Sequence, residues 1–209
     1  KIYLKFFMIQ NFFNFNSNFE IEIVRSLENE LVIENLINLS NKLSIIVGSS
    51  KSGKTTLARF YSEKANIPII SNEADLKFNK NIDKYFIDTD ILKFNQEILF
   101  HFIQNILTYN CSLYIFSPND IEDFSFKFDD LKSRLSLFTK FVILEPKEEL
   151  MIILLKKYLK QKSIKIDNSI IIEIPKFIER SYLSVFNCAN DINHLLYENN
   201  HNINLRLIK

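Results

Sequence analysis

The sequence predicts an α/β fold: a parallel five-stranded sheet flanked by helices, followed by an all-helical C-terminal subdomain. Three observations support this prediction. Short apolar, β-branched runs alternate with segments of helical period, as in a parallel sheet covered on both faces. A loop that contains glycine separates one of these runs from a helix. Past Pro146 the strand-like runs stop, and three helical segments follow at 147–161, 169–179 and 181–197.

The first predicted elements are defined by composition and period. Segment 19–23 alternates apolar and polar side chains like a short strand, and 27–39 has the period of an amphipathic helix. The run LSIIV at 43–47 is short, apolar and β-branched, which suits a buried strand. Segment 54–64 places its apolar side chains at helical spacing, so it predicts a helix.

The remaining elements complete the sheet. Apolar runs predict a second, third, fourth and fifth strand of the sheet, and a helical period predicts one long helix between the third and the fourth. The strands are 67–70, 84–88, 113–117 and 141–144, and the helix is 94–108. Ligands of such a sheet lie at the carboxyl ends of its strands. We therefore divide the chain into an N-terminal segment (1–18), a core (19–145) and a helical subdomain (146–209).

Both glycines of the 209-residue chain lie in one loop, GSSKSGKT. Average usage would give about 15 glycines, so these two mark a place where a side chain is poorly tolerated. The order G-x-x-x-x-G-K-T is that of the P-loop, whose backbone N–H groups surround phosphates while its lysine reaches the β/γ oxygens and its threonine holds Mg²⁺. The alternative is a solvated turn. We predict ADP or ATP with Mg²⁺ as cofactors, bound by Gly48, Ser49, Ser50, Lys51, Ser52, Gly53, Lys54, Thr55 and Thr56.

Acidic side chains follow the third strand. Asp88 ends it and is a candidate Mg²⁺ ligand. In a P-loop ATPase a second acid, which positions the attacking water, would follow Asp88, but this chain has Thr89 there. Asp90 comes one residue later, so its side chain points to the opposite face of the strand from residue 89 if the strand continues. Both acids have an alternative role as helix-capping or turn residues. Ser117 ends the fourth strand and either binds the γ-phosphate or the attacking water, or closes a turn before Pro118. Nucleotide binding is therefore better supported than hydrolysis.

Composition excludes several classes of protein. Lys and Arg number 26 against 25 Asp and Glu, so no global basic field favours wrapping of nucleic acid. Cys111 and Cys188 lie far apart and fit no metal spacing, which indicates reduced core thiols. No apolar run approaches the roughly 20 residues of a membrane span, and the N-terminal stretch lacks the cleavage site of a secretory signal. We expect a cytoplasmic protein that does not bind membranes.

Four further motifs occur in a defined order along the chain. They are FHFIQN at 100–105, DLKSRL at 130–135, VILEP at 142–146 with LLKK at 154–157, and ERS at 179–181. Together with the P-loop, this set resembles the AAA+ P-loop NTPases of the DnaA/Hda family, and within it the Hda-like regulators of DnaA. The motifs are similar to the family's lFhllN helix, its D-L-x-S-R-[LF] element, its L-x-P entry to the helical lid and the RS pattern of the last lid helix. The resemblance covers residues 19–209.

The resemblance implies an AAA+ core with a helical lid, and it makes Arg134 an arginine finger for the nucleotide of a neighbouring subunit. A guanidinium is planar and charged, and donors aimed at a γ-phosphate can raise the rate by about 10³–10⁵. The alternative is a surface arginine paired with Asp129 or Asp130. The family's nucleotide-sensing lid arginine would fall at Ser184, so Arg180 is the candidate substitute.

The N-terminal segment contains a second partner motif. QNFFNF at 10–15 resembles the Q-x-x-[LF]-x-[LF] peptide with which Hda-like proteins dock into the sliding clamp of the replicase. In this interpretation Gln10 bonds at the pocket rim, while Phe13 and Phe15 fill an apolar cleft. The alternatives are a disordered leader and an edge strand packed on the core.

The resemblance implies a protein that docks on the sliding clamp (beta) of DNA polymerase III, and the departures from the family at Thr89 and Ser184 favour a nucleotide-bound adaptor that is at most a weak ATPase. There it stimulates hydrolysis of DnaA-bound ATP, so its expected partners are DnaA and the clamp. A second copy of the chain, in a homodimer, is a further candidate partner. No helix-turn-helix domain follows the lid, so we expect no sequence-specific binding of duplex DNA. The alternatives are a free-standing P-loop ATPase and a DnaA- or helicase-loader-like AAA+ protein that binds single-stranded DNA.

Overall fold

The structure is a computed structural model, which describes residues 22–120, 122, 126 and 129–198. It consists of two units, one formed by Lys1–Gly48 with Gly53–Ile143 and the other by Ser49–Ser52 with Leu144–Lys209. The predicted clamp peptide and the start of the predicted strand 19–23 lie outside the described residues. Glu22 and Ile23, at the end of that segment, have no regular secondary structure, so the strand is not found in its described part.

Five parallel strands form the sheet of the first unit, which confirms the predicted fold class. Their order across the sheet is β2-β3-β4-β1-β5, and every neighbouring pair is parallel. The strands β2 and β5 are shorter or shifted relative to the predicted runs, whereas the other three agree within one residue. The strands are β1 Leu43–Val47, β2 Ile69–Ile70, β3 Lys84–Asp88, β4 Ser112–Ser117 and β5 Thr139–Val142.

Four helices of the first unit are α1 Glu30–Asn38, α2 Lys54–Ala65, α3 Gln96–Thr108 and α4 Asp129–Leu135. Two of them begin later than predicted because an asparagine side chain organises the preceding turn. Asn29 accepts from the Ser26 amide at 2.9 Å, so α1 starts at residue 30. Asn95 accepts from the amides of Glu97 and Ile98, so α3 starts at residue 96.

The second unit is helical, as predicted. Its helices are α5 Glu148–Gln161, α6 Asn168–Glu173 and α7 Tyr182–Glu198. The helix predicted over 169–179 ends early, because Pro175 has no N–H to continue it and a 3₁₀ turn, Ile174–Lys176, follows. Ser181 caps α7, since its hydroxyl accepts from the Ser184 amide at 3.1 Å.

The central strands β1, β3 and β4 lie in the core of the first unit. Every residue of β4 is buried, and β1 and β3 are each buried at their three middle positions. Such continuous burial is typical of parallel strands covered on both faces. The register pairs Val47 with Ser117 and Asp88 with Phe116. The carboxyl ends of β3, β4 and β1 therefore lie side by side at one edge of the sheet.

Asn35 is a buried polar side chain that ties α1 to the start of β1. Its amide nitrogen donates to Ser44 Oγ at 3.1 Å, and its amide oxygen accepts from the Asn41 side chain at 3.0 Å. Asn35→Ala leaves these groups short of partners, so we expect the free energy of unfolding to fall by about 1–3 kcal/mol. Urea titration measures this against Asn38→Ala, an exposed site on the same helix. If the two variants lost the same free energy of unfolding, the stabilising role given to the Asn35 hydrogen bonds would be wrong.

Candidate functional site

The predicted phosphate loop joins β1 to α2. Gly53 has φ +93° and Lys51 has φ +65°, both in the left-handed region that favours glycine. Helix α2 starts at Lys54, and the residue at its N-cap, Gly53, has no side chain that could cap it. The amides at this helix N-terminus carry the positive end of the helix dipole, an arrangement that suits an anion such as a phosphate. The left-handed glycine at Gly53 and the helix that starts directly after it are compatible with a phosphate loop, and phosphate binding stays a prediction.

The lysine and the threonine of the motif lie at the start of α2. Lys54 is partly buried, and its Nζ donates to the Gly48 carbonyl oxygen at 2.5 Å. Thr55 Oγ1 donates to Asp88 Oδ1 at 3.2 Å, so the predicted Mg²⁺ ligands of the loop and of β3 are neighbours. A hydroxyl and a carboxylate are hard oxygen ligands of the kind that Mg²⁺ prefers, so the residues present fit this ion.

The Asp88 carboxyl is electrostatically perturbed. Burial at the end of β3 raises its pKa above the ordinary value, and this is the largest effect. The Thr55 hydroxyl and the cations of Arg59 and Lys54 act in the opposite direction and offset part of the increase. A carboxylate that is costly to desolvate in the protein alone is well placed to be stabilised by a divalent cation.

We expect Asp88→Asn to stabilise the protein at neutral pH in the absence of nucleotide and Mg²⁺. A carboxyl whose folded pKa is raised contributes stability that is complete below the unfolded pKa and is lost as pH rises through the folded pKa. The advantage of the amide should therefore shrink as pH falls towards 4. Thermal unfolding of both proteins from pH 4 to 7.5 measures this. An Asp88→Asn variant that is less stable than wild type at neutral pH would contradict this prediction. A difference in stability between the two proteins that stays constant from pH 4 to 7.5 would contradict it as well.

Asp90 lies just beyond the end of β3. The strand ends at Asp88, and a 3₁₀ helix, Ile91–Lys93, follows directly. The Asp90 carbonyl oxygen accepts from the Lys93 amide at 3.0 Å. Because the strand does not continue past Asp88, strand alternation no longer argues against a position of Asp90 near the loop. Its role towards the attacking water, in place of Thr89, stays a prediction.

Ser117 is fully buried at the carboxyl end of β4. Its hydroxyl donates to the Asn119 carbonyl oxygen at 2.7 Å and accepts from the Asn119 amide at 3.3 Å. These bonds are those of the turn that the sequence offered as an alternative. The register places Ser117 beside the residue that precedes the phosphate loop, so contact with the γ-phosphate stays a prediction.

Arg134 lies on α4 and is held by two side chains of α3. Its Nε donates to Gln104 Oε1 at 2.9 Å, and its guanidinium carbon lies 4.3 Å from the centroid of the Phe100 ring. Gln104 Nε2 donates in turn to Thr108 Oγ1 at 3.3 Å, which leaves the amide oxygen facing the arginine. Within the described residues no ion pair joins Arg134 to either carboxylate of its own helix.

Sequence reasoning missed the roles of Phe100 and Gln104. Both lie in the motif FHFIQN, but the motif alone connects neither of them to Arg134. The available signal was their spacing: residues four apart share one face of a helix, so a planar ring and an amide oxygen are presented together. The contact with Arg134 requires the packing of α3 against α4, which the sequence does not specify.

The lid candidates and the cysteines are also placed. Arg180 is exposed in the segment before α7, and the Ser184 hydroxyl bonds that of Ser181 at 2.8 Å. The role of Arg180 as a substitute sensor stays a prediction.

Cys111 and Cys188 are buried free thiols, and burial raises the pKa of Cys188 to about 11. Burial also raises the pKa of Cys111, so neither thiol is activated as a nucleophile.

An open depression of about 780 Å³ lies beside the edge strand β2. It is lined by that strand, by the loop that follows it and by Tyr85 of β3. None of the site residues predicted from the sequence lines it. The chemistry indicated by the motifs therefore lies elsewhere in the molecule.

In the part of the chain that the structure describes, no helix is long and apolar enough to cross a membrane.

Solved structures share this fold at low sequence identity. Domain III of the replication initiation protein DnaA from Thermotoga maritima aligns with a TM-score of 0.72 and 15% identity, over 89% of this chain and 91% of that chain. AMPPCP-bound DnaA from Aquifex aeolicus aligns with a TM-score of 0.63 and 18% identity, over 84% and 65%. The RuvB Holliday junction branch migration motor of Thermotoga maritima aligns with a TM-score of 0.59 and 14% identity, over 87% and 64%.

These likenesses show that the chain shares the fold of DnaA domain III and of RuvB. The chain spans nearly all of the isolated domain III and about two thirds of the longer DnaA and RuvB chains. No protein-family model matches the sequence, and no curated protein matches it either.

Proposed function

We propose that this chain is a nucleotide-bound AAA+ regulator of DNA replication initiation, similar to Hda, that presents Arg134 to ATP bound by DnaA. Residues 19–145 form its nucleotide-binding core and 146–209 its lid. The observation that carries the proposal is the guanidinium of Arg134, oriented by Gln104 and Phe100 on a fold shared with DnaA domain III.

The geometry of Arg134 suits a finger acting on another subunit's nucleotide. The bond to Gln104 uses Nε, and none of the described residues accepts a hydrogen bond from the two terminal nitrogens. The Nε bond and the contact with the Phe100 ring restrain the guanidinium, so less conformational entropy is lost when it binds a phosphate. An oriented cation whose two terminal nitrogens donate to none of the described residues can stabilise charge that develops on a γ-phosphate.

The residues around the chain's own phosphate loop favour a protein that retains its nucleotide over one that hydrolyses it repeatedly. Lys54, which lies at the loop, and the neighbouring pair Thr55 and Asp88 would provide the phosphate and Mg²⁺ contacts of an ADP or ATP site. The residue after Asp88 is Thr89, which cannot act as a carboxylate base, and the lid carries Ser184 at the position of the sensing arginine. Bound nucleotide would therefore persist and stabilise the form that engages DnaA.

Incubation of DnaA–ATP with sliding clamp, DNA and this chain tests the proposal. We expect hydrolysis of the DnaA-bound ATP to accelerate only when this chain and the DNA-loaded clamp are both present. The clamp dependence is assigned to Gln10, Phe13 and Phe15, which lie outside the described residues. Failure of the chain to accelerate hydrolysis would overturn the proposal, and acceleration without clamp would overturn the docking step alone.

A free-standing P-loop ATPase is the second candidate function. It is favoured by the hydrogen bond between Thr55 and Asp88, which joins the two predicted Mg²⁺ ligands within one unit of the chain. The two candidates differ in whose ATP is consumed. An ATPase hydrolyses the nucleotide in its own loop, whereas the proposed regulator retains it and promotes hydrolysis by DnaA.

A further inference from the structure

Lys51 holds an unusual backbone conformation in the phosphate loop. Its φ of +65° places an L-residue in the left-handed region, where glycine is the residue without a steric penalty. Gly53, at +93°, meets this need with a glycine, but Lys51 does not. The loop conformation therefore carries a local cost at Lys51 that some other interaction must offset.

The side chain of Lys51 makes one contact that can supply this offset. Its Nζ lies 4.1 Å from the centroid of the Phe186 ring on α7. Phe186 is in turn packed edge to face against Tyr158 of α5, with ring centroids 5.5 Å apart and planes at 88°. All three residues belong to the second unit. An ammonium over an aromatic face is attracted by the negative face of the ring, and Tyr158 restrains the ring that provides it.

We infer that Lys51 and Phe186 are a positioning pair for the phosphate loop. The ring holds the ammonium, and the lysine backbone is thereby kept in the left-handed conformation that shapes residues 49–52. The same stretch is closed by a bond from the Ser52 amide to the Ser49 carbonyl oxygen at 3.2 Å. This inference rests on the proposed nucleotide binding, because its consequence is a loop shaped for phosphate before nucleotide arrives.

The pair makes a prediction that depends on the residue at position 51. If the Phe186 ring acts by restraining the strained backbone of Lys51, replacing the ring should weaken nucleotide binding only in proteins that carry this strain at position 51. A glycine adopts the same φ without strain, so in a Lys51→Gly background the ring should no longer matter. A ring with a purely structural role in α7 would matter equally in both backgrounds.

Calorimetric titration with ADP and Mg²⁺ of four proteins tests this: wild type, Phe186→Leu, Lys51→Gly and the double variant. Phe186→Leu keeps most of the side-chain volume but removes the aromatic face. We expect it to weaken ADP binding about two- to fivefold in the wild-type background and less than about 1.5-fold in the Lys51→Gly background. Phe186→Tyr, which keeps the ring, should restore wild-type affinity. Leu183→Ala, at an exposed position of the same helix, is the matched control.

The outcomes separate the inference from the function on which it rests. Equal weakening by Phe186→Leu in both backgrounds would overturn the positioning role, as would no weakening in the wild-type background. Weakening by Leu183→Ala as large as that by Phe186→Leu would do the same. If wild-type protein fails to bind ADP, the proposed nucleotide binding is wrong and the positioning role is lost with it.

Discussion

Arg134→Ala is expected to reduce the stimulated hydrolysis of DnaA-bound ATP by about 10³-fold or to background. The substitution removes a permanently charged guanidinium whose terminal nitrogens donate to none of the described residues, and Gln104 and Phe100 cannot replace it. The chain's own affinity for ADP should change little, because the guanidinium contacts α3 and not the phosphate loop. Single-turnover conversion of DnaA–ATP to DnaA–ADP, with clamp and DNA present, measures the effect.

Two further variants make the Arg134 experiment decisive. Arg134→Lys keeps the charge but loses the planar fork, the Nε bond to Gln104 and the guanidinium contact with the Phe100 ring, so it should recover little of the stimulation. Lys132→Ala removes an exposed cation from the same helix and should retain it. Equal stimulation by wild type and Arg134→Ala would show that the finger lies elsewhere.

Lys54→Ala is expected to weaken binding of ADP and Mg²⁺ by about 10- to 100-fold. The ammonium is partly buried at the loop, and charge-assisted bonds to phosphate oxygens contribute about 1.5–3 kcal/mol. Its removal also frees the Gly48 carbonyl oxygen from its 2.5 Å bond. Calorimetric titration of nucleotide into each protein gives the two dissociation constants.

The control for Lys54→Ala is Lys64→Ala, which removes an exposed lysine from the last turn of the same helix. This variant should bind ADP like wild type. If Lys54→Ala binds as tightly as the control, the loop is not a phosphate site. If nucleotide acts as a switch, Lys54→Ala should in addition lose stimulation of DnaA, although Arg134 is intact.

The sheet and the phosphate loop could be predicted from sequence because their determinants are local. A buried parallel strand needs a continuous apolar run, and the P-loop residues are contiguous around the chain's two glycines. Element ends were less predictable, since they depend on side-chain bonds. The Asn29 turn delays α1, and Pro175 ends the helix predicted over 169–179.

The contacts that orient the site could not be predicted in the same way. Arg134 and Gln104 are 30 positions apart, and their bond exists only because α4 packs beside α3. The contact of Lys51 with Phe186 joins still more distant parts of the sequence. The P-loop pattern also places no constraint on residue 51, so its left-handed backbone had no signal in the sequence.

The most direct test of the account measures whose ATP is hydrolysed in a single reaction. DnaA is loaded with ATP carrying one radiolabel on its γ-phosphate and this chain with ATP carrying another, and the two are mixed with clamp and DNA. The account predicts rapid release of the DnaA label and retention of the label on this chain. Rapid loss of the label on this chain, with the DnaA label retained, would contradict it and would favour a free-standing ATPase.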